Sequence, residues 1–201
     1  LMAIAAPILS PQNPYDLMVL NLMDSRLEPG TVGSAGYVHI LGTDDLGRDR
    51  LARLLVGTRI TVSVALAAAL VALVIGVIWG AIAGWVGGRT DEVMMRIVDG
   101  LYALPFMFVV ILLMVVFGRS IFLVFLGIGA VEWLTMARVV RGEVMALKNR
   151  PFVLAAEASG SSGTRTLIRH ILPNVMGPVL VIATISLALA IIAEATLSFL
   201  G

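Results

Sequence analysis

The chain has 201 residues, of which 59% are hydrophobic and 13% charged, with a formal net charge of +1. Soluble domains are about 25% charged, so this composition excludes one and indicates an integral membrane protein, and the near-neutral balance gives no reason to expect nucleic acid as a partner. There is no cysteine, which removes disulfides and thiolate metal sites, and the two histidines, His39 and His170, lack any ligand spacing, so no metal site is expected.

Taken in order, Leu1 to Leu9 is apolar and broken by Pro7 and Pro11. It is too short to span, since a spanning helix needs about 20 residues. It lacks the basic start of a signal peptide, so residues 1–9 read as the end of a truncated first transmembrane helix. Residues 10–42 form a long loop with Pro11, Pro14 and Pro29 and no periodicity. From Asp44 or Asp45 a helix is predicted, with Leu51, Leu54 and Leu55 on one face and Arg48, Arg50 and Arg53 on the other. That pattern fits a helix lying at the membrane interface, or equally the solvated prelude to the next span. The organisation expected is a loop with an interfacial helix over 10–57 and a transmembrane domain over 58–201.

Ile60 to Gly88 carries no charge and is long enough to cross a bilayer with tilt. Gly76, Gly80 and Gly84 recur every four residues on one face, the spacing at which small residues let helices approach closely in lipid. Trp79 and Trp85 suit a near-interface position. A short charged turn follows (Arg89, Asp91, Glu92, Arg96, Asp99), in which Arg96 and Asp99 are placed to pair locally. Gly100 to Gly118 is a second uncharged span, kinked at Pro105, and Arg119–Ser120 is a tight turn. Ile121 to Ala137 is a third span, continuing past Arg138 and Arg141, and Val175 to Ala193 is a fourth, with Pro178 near its start. Charges within a bilayer are costly and usually face an interior or a cavity, so Glu132 and Glu194 are the candidates for a translocation path. The fold expected is all-α: a polytopic transmembrane helical bundle with four complete spans plus the truncated first helix.

The longest polar interruption in the second half is NRPFVLAAEASGSSGTRTLIRHILPN, residues 149–174. It reads as two short helices outside the bilayer. Pro151 suits a first helical turn. Gly160 ends that helix, with positive φ, and Ser161 or Ser162 caps the next. Leu167, Ile168, Ile171 and Leu172 give the second helix a one-sided apolar face; Pro173 stops it, and His170 is a structural cap at its end. The Gly160–Gly163 stretch looks superficially like a phosphate loop, but it lacks the lysine and the glycine spacing of one. No catalytic constellation stands out.

These residues resemble the "EAA" loop of ABC-importer permeases, with Ala155, Ala156, Gly160, Leu172 and Pro173 at its spacing. Leu154 stands where that loop has Glu, and His170 where it has Ile. RHILPN (Arg169 to Asn174), GTDDLGRD (Gly42 to Asp49) and EATLSFLG (Glu194 to Gly201) resemble the dipeptide, oligopeptide and nickel branch of the family, specifically its second permease subunit. The resemblance implies a multi-pass permease in the cytoplasmic membrane of a prokaryote, surrounded by lipid, with a further loop and helix after Gly201. It implies four kinds of partner: a second similar permease, two ABC ATPases, an extracytoplasmic binding protein, and a ligand that is a peptide or nickel. No cofactor is expected on this chain, ATP and Mg being held by the ATPases. The elbow is then the cytoplasmic contact with those ATPases. Phe152, Leu154, Ala155, Ala156, Gly160, Arg165, Leu167, Ile168, Arg169, Leu172 and Pro173 are its candidate coupling residues. Eight Lys and Arg fall on the elbow side against six on the other, which favours the elbow side as cytoplasmic. The alternative is a secondary carrier or a membrane scaffold without an ATPase. The carrier reading expects broken helices with midplane polar groups and internal repeats, and neither is evident here.

Overall fold

The computed structural model describes residues 13–14, 21–118 and 121–200. The stub at 1–9 and the turn at Arg119–Ser120 lie outside them. The chain divides into two units, Leu1–Ser63 and Val64–Gly201.

The first unit is not the structureless loop that the missing periodicity implied. Asn21 opens a 3-10 turn, Leu22–Asp24, by accepting the N–H of Met23. Strand β1 (Thr31–Val32) pairs antiparallel with β2 (Val38–His39), Thr31 opposite His39 and Val32 opposite Val38. The described chain is mostly helical, but this ribbon is an exception to the all-α expectation. Two-residue strands are too short to leave an alternation in the sequence.

Helix α1 begins at Arg50, not at Asp44 or Asp45. The Asp44 carboxylate accepts the backbone N–H groups of Leu46 and Arg48 and holds the guanidinium groups of Arg48 and Arg53. Side-chain bonds of this kind favour a turn over a helix. Gly47, at φ 73°, closes that turn, so Arg48 is not on a helical face. Burial pulls the Asp44 carboxyl up, but the Arg48 and Leu46 amides and the Arg48 guanidinium outweigh it and hold it below its usual range. Asp49 starts the helix, its Oδ1 accepting the N–H of Ala52 at 2.7 Å. Its other oxygen meets His39 Nδ1 at 2.7 Å, and both side chains are fully buried. Tyr37 stands edge-on to the His39 ring.

Helix α1 runs Arg50–Val86, 37 residues, or about 55 Å of rise. In the second unit it is followed by α2 (Gly88–Tyr102), α3 (Phe106–Phe117) and α4 (Ile121–Lys148). After these come α5 (Pro151–Ala158), α6 (Gly163–Thr166), a π-turn (Leu167–Ile171) and α7 (Leu172–Leu200). Among the described residues, two stretches have the length and apolarity to cross a membrane, Arg50–Val86 and Gly163–Thr196. The run expected as one kinked span from Gly100 to Gly118 is instead broken outright. The segment Ala103–Pro105 separates α2 from α3, because proline's ring pushes the preceding residue out of the helical region. With 12 residues, α3 rises only about 18 Å.

The second elbow helix is not separate either. Residues 163–200 continue through the π-turn into α7, so Pro173 does not stop a helix and His170 does not cap one. The ladder changes from five-residue to four-residue spacing at that point. This leaves room for a residue without an N–H.

Helices α4 and α7 pack along each other. One core cluster gathers Ala81 of α1, Met136, Val140 and Val144 of α4, Val153 of α5, Ile171, and Val175 and Val179 of α7. A second joins Ala65 and Ala68 to Val110 of α3 and Ala190 of α7. The α1 glycines lie hard against α4. A Cβ on Gly76 would stand 2.5 Å from Met136 Cβ, one on Gly80 2.8 Å from Val140 Cβ, and one on Gly84 2.8 Å from the Arg141 carbonyl. Trp79 also points into this packing: its ring meets Trp133 edge-on at 5.3 Å and its N–H donates to the Met94 carbonyl.

Candidate functional site

The elbow is built on a fixed base. Arg150 is extended, Pro151 takes the first turn of α5, and Val153 points into the first core cluster with no exposed surface. Phe152, Leu154 and Ala155 face outward and Ala156 is half-buried. Gly160, at φ 84°, ends the helix. Its N–H donates to the Glu157 carbonyl, and that of Ser161 to the Ala156 carbonyl. This double bond pattern closes a helix on a left-handed residue, a conformation costing any residue with a Cβ about 1–2 kcal/mol.

Neither serine caps α6 in the expected way. Ser162 occupies the cap position without a side-chain bond, and the Ser161 hydroxyl pairs with that of buried Thr166 at 3.0 Å. The apolar face predicted for the second elbow helix is divided. Ile171 is buried and Leu167 and Leu172 pack on the core, while Ile168 alone stays exposed beside Arg165, Arg169 and Pro173. The π-turn rotates successive residues through less than the usual α angle, which a 3.6-residue wheel does not anticipate. The His170 carbonyl accepts from Asn174 Nδ2 at 2.6 Å. Of the candidate coupling residues, Phe152, Leu154, Ala155, Gly160, Arg165, Ile168, Arg169 and Pro173 therefore face outward.

Behind the elbow, α2 is fastened to α4 by two ion pairs that the sequence reading missed. Arg141 grips Asp91 with Nε and Nη2 on separate carboxylate oxygens. Arg138 Nη2 meets Asp99 at 2.7 Å, and its guanidinium lies 4.3 Å from the Tyr102 ring centroid. Arg96 reaches Glu92 at 3.5 Å, so the expected local Arg96–Asp99 pair does not form. The bond from Arg141 holds the Asp91 carboxyl below its usual range, against the opposing effect of burial. The available signal was Arg138 and Arg141, three apart on one helix, matched by two aspartates on a neighbouring one. At the elbow's flank the Lys148 ammonium donates to the Trp85 carbonyl.

Of the two membrane carboxylates, Glu132 is half-buried on α4 and hydrogen-bonded by the buried Ser186 hydroxyl of α7. Glu194 lies eight residues further along α7 than Ser186, roughly 12 Å of rise away, so the two are not brought together. Among the described residues no group of three or more His, Cys, Asp or Glu is placed to hold a metal ion.

Residues 76–201 match the family described as "Binding-protein-dependent transport system inner membrane component". The chain belongs to that family. Over its whole length it is 47% identical to the oligopeptide transport system permease protein OppC of Bacillus subtilis and 48% identical to OppC of Escherichia coli. It is also 41% identical to the dipeptide transport system permease protein DppC of Bacillus subtilis. The chain spans 63%, 64% and 60% of those relatives' lengths, respectively.

Proposed function

We propose that this chain is the transmembrane permease subunit of an ATP-driven ABC importer that carries dipeptides or oligopeptides across the cytoplasmic membrane. The names of the relatives favour peptides over nickel as the ligand. The four spans of the proposal are α1, the α3 region, α4 and α7. The elbow faces the cytoplasm and meets an ATPase subunit. A second permease of the same family completes the pathway, two ATPases hold ATP and Mg, and an extracytoplasmic binding protein delivers the peptide. This chain performs no covalent step.

The observation that carries the reading is the two-sided elbow. Its outer surface offers apolar Phe152, Leu154 and Ile168 with cationic Arg165 and Arg169, while Val153 and Ile171 lock its inner side into the cluster shared by α1, α4 and α7. A partner that moves the outer surface must move the cluster as a body, because a close-packed interior shifts between arrangements and does not deform gradually. That displacement opens the bundle alternately to either side. Glu132 and Glu194 are assigned to the path, with Ser186 orienting Glu132.

The test is to express the full gene with its neighbouring transport genes and purify by a tag on this subunit. Two ATPase subunits per complex, and peptide uptake into vesicles that requires both ATP and the binding protein, are expected. A subunit that purifies alone and transports with an ion gradient as its only drive refutes the proposal.

A further inference from the structure

We infer that Trp85 and Lys148 are positioning residues of the coupling step, clasping the C-terminal end of α1 to the elbow so that the two move together. This rests on the coupling role proposed for the elbow.

Four observations converge on the clasp. Lys148 is the last residue of α4, and its Nζ donates to the Trp85 backbone carbonyl while lying 5.2 Å from the centroid of the Trp85 ring. The Trp85 carbonyl belongs to the last turn of α1, where helix carbonyls have no partner of their own and a cation is favoured. The ring itself packs on the cluster that includes Val144, Val153 and Ile171. Its Nε1 also stands 3.4 Å from where a Cβ on Gly163 would be. Trp85 thus joins the end of α1 to the end of α4 and to the core cluster, and stands beside the start of α6.

The chain beyond Trp85 is equally constrained. Gly87 and Gly88, at φ 70° and 57°, turn it sharply into α2. Arg141 grips Asp91 four residues past Gly87, and Gly84 lies against the Arg141 carbonyl. The end of α1 therefore has no freedom to slide past α4. Trp85 and Lys148 add a polar link at its end to the one that Ala81 makes with Val153 and Ile171 through the shared core cluster. The plain alternative is that tryptophan and lysine sit here as membrane-interface anchors. An anchor needs neither the backbone bond nor the contact with Gly163, and it predicts effects on insertion and stability with no effect on coupling.

The experiment uses the complete complex, with ATPases and binding protein, in lipid vesicles. Accumulated radiolabelled tripeptide per ATP hydrolysed is measured for Lys148→Met, Trp85→Leu, Lys148→Arg and Gly160→Val. Lys148→Met and Trp85→Leu should assemble and hydrolyse ATP, with tripeptide per ATP reduced about fivefold or more, the size of a modest coupling energy. Lys148→Arg keeps the cation and the donor and should recover most of the ratio. A wild-type ratio in Lys148→Met and Trp85→Leu, alongside a loss in Gly160→Val, overturns the clasp while leaving the elbow's role intact. A wild-type ratio in all four removes the elbow's role and the clasp with it.

A second measurement covers variants that assemble poorly. The chain has no cysteine, so Val86→Cys and Glu157→Cys, both at exposed positions, can be spin-labelled before reassembly with the partners. The inter-label distance should be the same without nucleotide and with trapped ATP and vanadate, and should change between those states once Lys148→Met is added. A distance that already changes with nucleotide in the parent chain overturns the clasp.

Discussion

Replacing Gly80 by alanine adds a single methyl group to α1, and the structure sets its cost. In a helix interior, alanine is favoured over glycine by about 1 kcal/mol. At Gly80 the new Cβ would collide with the Ala137 carbonyl oxygen and stand 2.8 Å from Val140 Cβ and 2.9 Å from the Arg141 nitrogen. Two of these three atoms are backbone, so no rotamer change relieves the clash, and α1 must move off α4. Overpacking of this kind costs about 1–3 kcal/mol. Even a small gap along the seam loses a quarter to a half of each contact across it, by rough estimate, so Gly76 and Gly84 suffer too. Gly100 and Gly142 are helical glycines at which a Cβ would meet nothing within 4 Å, and alanine there should realise the full propensity gain. Gly80→Ala should therefore fall below Gly142→Ala by about 1–3 kcal/mol. The assay is unfolding of the purified protein in mixed micelles by titration with sodium dodecyl sulfate, followed by circular dichroism and tryptophan fluorescence. A Gly80→Ala protein as stable as Gly142→Ala would show that α1 and α4 do not approach closely at this point.

Gly160→Val should insert normally, because its residue lies outside every proposed span. It should lose about 1–2 kcal/mol of local stability from the forced positive φ and copurify with less ATPase; unchanged ATPase recovery contradicts the proposed contact. The Asp91–Arg141 pair predicts an acid sensitivity. The Asp91 carboxyl is held below its unfolded value by Arg141, so its stabilisation is complete above the unfolded pKa of about 3.9 and fades as pH falls through the lower folded value. Comparing acid unfolding with Arg141→Gln should show a stability difference that is flat at neutral pH and shrinks below about pH 4; a difference that grows on acidification reverses the sign and rejects the assignment. Asp49→Ala leaves His39 buried without its partner and removes the cap on Ala52. A buried polar group left unsatisfied costs about 1–3 kcal/mol and a lost helix cap about 1 kcal/mol, so limited proteolysis within residues 21–49 should accelerate, and an unchanged cleavage rate argues that the pair is dispensable.

Much of this protein is written in short windows of its sequence. Uninterrupted apolarity marks α1 and α7 as helices able to cross a bilayer, because each apolar residue contributes to that outcome regardless of its neighbours in space. Pro151 and Gly160 bound α5 because their backbone preferences act within a turn. The spacing of Ala155, Ala156, Gly160, Leu172 and Pro173 carried the family. The structure alone decided the points at which one segment selects another. Asp91 is 50 residues from Arg141 and Asp99 is 39 from Arg138. Local spacing offered Arg96 to Asp99, and only the docking of α2 on α4 made the distant partners nearer. Asp44 and Asp49 look alike in sequence, yet one closes a turn and the other starts a helix beneath a buried histidine. The proline at 173 reads as a stop, and the π-turn before it turns it into a passage. Local preferences are worth tenths of a kcal/mol to about 1 kcal/mol per residue, and a burial or ion pair formed on docking can exceed them. Wherever the two compete, the tertiary contact decides.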